Sequence, residues 1–149
     1  MPSVTGSTNI RTSGSTADKG DLVPYQYVVL RCVPRVEREE FVNVGVVLFA
    51  QSADFLGAGF ALDEQRLTAF APGLSLDGVR RALDAVRAVC RGETGRGLPT
   101  LETPGQRFGW LTASRSTVVQ PGPRHGGVCA DPAAELDRLV GRLVAPTQE

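Results

Sequence analysis

From Phe41 to Ala50 every second residue is apolar: Val42, Val44, Val46, Leu48 and Ala50. The positions between them, Phe41, Asn43, Gly45, Val47 and Phe49, are mixed. A period of two in a run rich in β-branched residues predicts a strand with one wholly buried face. Its second face is expected to be lightly covered or to line a groove. Tyr25 to Val33 predicts the strand before it, ended by Pro34, which has no N–H to give a ladder. The charged segment Pro34 to Glu40 connects the two. A symmetric antiparallel hairpin sets Cys32 opposite Val42, Leu30 opposite Val44 and Val28 opposite Val46 on the core side. On the other side Arg31 then lies opposite Asn43, Val29 opposite Gly45 and Tyr27 opposite Val47. A slip of one residue would exchange the faces. Leu56, Ala58, Phe60 and Leu62, alternating with Gly57, Gly59 and Ala61, predict a third strand.

The period then changes. Asp63 caps a short helix through Phe70, stopped by Pro72 and Gly73. Ser75 caps the next, in which Leu76, Val79, Leu83, Val86 and Cys90 form one apolar stripe. Asp77 with Arg81 and Arg80 with Asp84 are i,i+4 pairs on its solvated face, and Gly92 closes it. Glu93 to Gln106, with Gly95, Gly97, Pro99, Pro104 and Gly105, reads as a loop. Phe108 to Ala113 brings the single Trp, Trp110. Arg115 to Pro121 predicts a short strand and Pro121 to Gly127 a turn-rich loop. Asp131 and Pro132 open a last helix whose apolar face is Leu136, Leu139, Val140, Leu143 and Val144. Strands come first and helices follow, with one late strand. The class is therefore α+β: a small antiparallel sheet with about three helices packed on one face. Residues 1–22, polar and without periodicity, are expected to be a disordered tail. A single domain then covers 23–145, with a short C-terminal tail at 146–149.

Composition narrows the function classes. A chain of 149 residues, 42% hydrophobic, suits one domain with one core. The 16 basic and 16 acidic residues cancel, which argues against a general attraction to nucleic acid or anionic membrane. No apolar run reaches the length of a membrane span, and the first residues have no secretory apolar region. Cys32, Cys90 and Cys129 are far apart, no CxxC occurs, and His125 is the single His. That pattern predicts no metal site and fits a reducing, cytoplasmic setting. Neither GxxxxGK[ST] nor GxGxxG is present, and no cofactor is expected.

One segment gathers polar chemistry. Arg107, Arg115, Ser116, Thr117, Gln120 and His125 lie close in sequence around Trp110. Arg offers a bidentate fork, the hydroxyls offer donors, and turn glycines expose N–H groups, a mix suited to an anionic ligand or a peptide terminus. The plainer reading is that Arg115 pairs with a carboxylate while the hydroxyls satisfy a tight turn. Ser116, His125 and Asp131 can be drawn as a nucleophile, base and orienting acid. No GxSxG surrounds Ser116, however, and Asp131 is already used as a cap. Cys129 near His125 suggests a thiolate–imidazole pair, with a packed thiol as the competing reading. Arg31 opposite Asn43 is a second polar pair, either a cross-strand hydrogen bond or, with Arg115, one wall of a groove.

The stretches YQYVVLRCVP, EEFVNVGVVLF and RFGWLTASRSTVVQPGP with its following His-Gly resemble the bacterial family DUF3037. The resemblance covers roughly Val23 to Val144. That family has no defined biochemical activity. The resemblance implies genomic company instead, since its members are often encoded beside a HipA-like, kinase-fold protein. Ser114 and Gly109 depart from the pattern, standing where the family has Pro and His. The resemblance and the missing catalytic signature together lead to the expectation of a non-catalytic interaction or accessory subunit for a HipA-like kinase-fold partner. The alternative is a small enzyme or anionic-ligand-binding domain using the Arg115–His125 segment, with the Arg31 and Asn43 face as a further candidate.

Overall fold

The computed structural model describes residues 21–113 and 117–146. The elements run β1 (Val23–Cys32), β2 (Val42–Ala50), β3 (Phe55–Phe60), α1 (Glu64–Phe70), α2 (Leu76–Cys90), α3 (Pro104–Leu111), β4 (Val119–Pro121), β5 (His125–Cys129) and α4 (Pro132–Leu143). The predicted tails lie almost wholly outside the described residues. The sheet is antiparallel throughout, in the order β3-β2-β1-β4, with β5 also on β1. β4 pairs with Leu30–Cys32 and β5 with Val23–Tyr27, so the two short strands share one edge of β1, end to end.

The hairpin register follows the sequence expectation only at the end next to the connection. Arg31 lies opposite Asn43 and Cys32 opposite Val42, but Leu30 then faces Gly45, Val28 faces Val47 and Tyr27 faces Leu48. β2 carries a bulge, with Val44 and Gly45 together opposing Leu30. The extra residue reverses the parity of the strand. Val42 and Val44 belong to one core with Val28, Leu30 and Val47, whereas Val46, Leu48 and Ala50 belong to a second core with Tyr25 and Cys129. Gly45 is required at the bulge, because a Cβ there would lie 2.7 Å from Phe60 Cδ1 and 3.0 Å from Gly59 O.

The α+β class with a small antiparallel sheet is as the pattern predicts. Four helices are present among the described residues rather than about three, and they cover both faces of the sheet rather than one. Leu67 of α1, Val79 and Leu83 of α2 and Phe108 of α3 fill the first core. Leu136 and Leu139 of α4 fill the second. β2 is an inner strand of this three-layer arrangement with both faces covered, so Val46, Val47 and Leu48 are all fully buried.

Helix starts were written locally. Asp63 Oδ1 accepts from the Arg66 N–H, Ser75 Oγ from Gly78, and Asp131 Oδ1 from Ala133 and Ala134. α3 falls partly in the segment expected to be a loop. Its own signal is a capping box: Thr103 Oγ1 accepts from the Gln106 N–H while Gln106 Oε1 accepts from the Thr103 N–H, with Pro104 at the first helical position. β5 lies largely in the expected turn-rich loop. Its glycines are strand residues, and a Cβ on Gly127 would meet the Tyr25 ring and hydroxyl at 2.7–3.1 Å.

Candidate functional site

Arg115 and Ser116 lie outside the described residues, as does Ser114. Thr117 and Gln120 satisfy their own turn: Thr117 Oγ1 donates to Val119 O at 2.7 Å and Gln120 Nε2 to Thr117 O at 2.9 Å. His125 stands at the start of β5, opposite Tyr27, with ring centroids 5.2 Å apart. Asp131 lies beyond the other end of β5 and caps α4. Four strand steps separate His125 from Cys129, roughly 13 Å, so neither Asp131 nor Cys129 approaches the imidazole as the drawn triad and thiolate pair require. Burial pushes the Cys129 thiol up, and raises that of Cys90 to about 12. Neither is held as a thiolate.

Arg31 and Asn43 do meet across the hairpin, and Gln120 is the β4 partner of Arg31. Their roles diverge. Asn43 Nδ2 donates to Leu143 O at 3.1 Å, tying β2 to the end of α4. The Arg31 guanidinium lies 4.1 Å from the centre of the Phe41 ring, and its Nε is buried without a hydrogen-bond partner. Arg31 and Tyr27 share a face of β1, four residues apart, so His125 is displaced along the strand from the Arg31 group. Arg107 is a structural residue: Nη1 donates to Leu101 O at 3.1 Å, fastening the preceding loop to α3. Arg124, which no sequence pattern singled out, bridges Gln26 Oε1 and Thr112 Oγ1 and lies over the Phe108 ring.

A concave feature lies elsewhere. A surface cavity of about 660 Å³ opens between the β1–β2 connection, the α1–α2 junction and Val118. Pro72 and Gly73 break the chain between the two helices, and Ser75 caps α2 at the cavity wall. Pro34, Phe70 and Leu74 supply apolar surface, and Arg35 and Arg38 supply charge. Each arginine is engaged by a neighbouring carboxylate, Arg35 with Glu37 at 3.1 Å and Arg38 with Glu40 at 2.8 Å. Exposed pairs of this kind contribute about 0–1 kcal/mol, so an incoming polar group can replace either carboxylate. Among the described residues the exposed large apolar side chains are Leu22, Val36, Phe41, Phe70 and Val128. Of these, Phe70 lines the cavity and Val36 lies in the connection between the lining residues Arg35 and Arg38, whereas Phe41 lies against the Arg31 guanidinium. No sequence motif marked this place, because its walls come from three separate stretches.

Among the described residues no helix is long and apolar enough to cross a membrane, and no group of three or more His, Cys, Asp or Glu could hold a metal ion. The model of the family described as "Protein of unknown function (DUF3037)" matches residues 27–144. Neither a curated protein nor a solved structure matches the chain.

Proposed function

The chain belongs to the DUF3037 family, and from that premise we propose that it is a non-catalytic interaction subunit that docks a protein partner at the cavity beside Phe70. The observation that carries this reading is the apolar surface of Pro34, exposed Phe70 and Leu74 in the wall of an open cavity of about 660 Å³. Exposed apolar side chains scattered singly need no explanation, but a group rimmed by polar residues marks an interaction surface. The Arg35–Glu37 and Arg38–Glu40 pairs form such a rim. The first partner to test is the HipA-like, kinase-fold protein that the family resemblance implies, with both proteins in the cytosol.

The test is co-expression and co-purification with that kinase-fold protein, followed by titration of purified components. Phe70→Asp and Val36→Asp should each leave the domain folded and weaken the complex by about thirtyfold or more, as loss of an apolar interface anchor does. Val128→Asp, a change to an exposed apolar residue on β5, should leave binding unchanged. Undiminished binding by both cavity variants would sink the reading. The alternative, binding of an anionic ligand, draws on a different observation: the Arg31 guanidinium meets the Phe41 ring, and its buried Nε has no partner.

A further inference from the structure

A second cavity, of about 340 Å³, lies where α1, the start of β2 and the end of α4 come together. Arg66, Arg142 and Asn43 line it, with the backbone from Leu143 to Pro146. Its chemistry differs from that of the cavity beside Phe70, where each arginine has a carboxylate. Neither Arg66 nor Arg142 has an ion pair or a side-chain hydrogen bond among the described residues. The carboxylate nearest to Arg66 in sequence on its N-terminal side, apart from Glu64, is Asp63, which accepts from the Arg66 backbone N–H. Glu64 is engaged by Arg80. Two uncompensated guanidiniums at one small cavity raise the local positive potential, and each keeps a planar fork of donors unspent.

The end of a helix normally presents carbonyl oxygens, which would repel an anion. Here that effect is reduced. Val140 O accepts the N–H groups of both Val144 and Ala145, and Leu143 O accepts the Asn43 amide. Asn43 Nδ2 retains a second hydrogen on the same side chain.

We propose that this cavity binds a phosphate-type dianion, held by the guanidiniums of Arg66 and Arg142 and oriented by Asn43. The lining by Arg66, Arg142 and Asn43 suits a phosphoryl group rather than a bulky apolar ligand. Two forks approaching from different elements match an oxyanion carrying two charges better than a lone carboxylate carrying one. The site is independent of partner docking beside Phe70 and uses none of the same residues.

The experiment is a titration of the full chain with inorganic phosphate, followed by two-dimensional amide NMR at constant ionic strength, with acetate as the monoanion arm. Phosphate should shift the Asn43 side-chain amide signals saturably, and acetate should bind at least tenfold more weakly. Arg66→Gln and Arg142→Gln should each weaken phosphate binding at least tenfold while the melting midpoint stays unchanged, since both side chains are exposed. Arg35→Gln should leave the phosphate titration unaltered. Equal binding of acetate and phosphate would replace the dianion assignment with a carboxylate one and overturn the proposal. So would non-saturable shifts, or retention of full affinity in both cavity variants.

Discussion

Tyr25 and Glu135, 110 residues apart in the chain, meet in a hydrogen bond of 2.5 Å from the phenol to the carboxylate. This contact ties β1 to α4 at the edge of the second core. Arg138 completes it, donating from Nε and Nη2 to the same carboxylate at 2.9 and 2.7 Å.

The triad makes stability depend on pH at both extremes. Hydrogen bonds from Arg138 first, and then from Tyr25, outweigh desolvation and hold the Glu135 carboxyl near 2, below its ordinary 4.5. A depressed acid contributes stability that is present above its unfolded pKa and lost as pH falls through the folded one. The melting midpoint should therefore decline between pH 4.5 and 2, and Glu135→Gln should flatten that limb. Burial first, and then the bond to Glu135, raises the Tyr25 phenol from 10.0 to about 12. Its contribution is present below pH 10 and lost toward pH 12, and Tyr25→Phe should flatten this alkaline limb. Thermal melts across both ranges check the two signs separately. An acid limb as steep in Glu135→Gln as in the native chain would remove the triad from the account.

The two-sided cover of β2 predicts an unusual mutational pattern. Val46 and Val47 are sequence neighbours, yet they fill opposite cores. Val46→Ala and Val47→Ala should each cost about 2 kcal/mol, because both delete fully buried methyl groups that packing cannot replace. Urea denaturation of the two variants is the measurement. A single buried face would leave one of the pair close to neutral.

Gly45 tests the bulge directly. Gly45→Ala places a methyl group 3.0 Å from the Gly59 carbonyl oxygen and closer still to the Phe60 ring. Relief requires the β2–β3 ladder or Phe60 to move, so the change should destabilise by about 1–3 kcal/mol. The chemical-denaturation midpoint should fall with an unchanged slope. A midpoint equal to that of the native chain would mean that the ladder yields freely there.

The candidate site was legible only in part. The pairing of Arg31 with Asn43 followed from alternation and a short connection, both local. His125 stands apart from the Arg31 group, because β4 and β5 occupy successive lengths of the β1 edge instead of folding onto one point. The cavity beside Phe70 and the pair Arg66–Arg142 left no trace in the pattern. Each unites side chains from segments that meet only after the sheet and helices have packed.

Elements with strong local signals were set by the chain itself. The alternation over Tyr25–Val33 and Phe41–Ala50, the caps at Asp63, Ser75 and Asp131, and the helical stripes located β1, β2, α1, α2 and α4. α3 had its capping box as well, though the surrounding glycines and prolines obscured it. Three features belonged to tertiary structure alone. β5 is a strand because β1 offers it an open edge and Tyr25 fits over Gly127, not because HGGVC favours extension. The two-sided cover of β2 required knowing what packs on each face. The bulge at Val44 and Gly45 was invisible because every even position from Val42 to Ala50 is apolar whichever way it points. Only the fit of Gly45 beside Phe60, on a neighbouring strand, decides where the parity turns over.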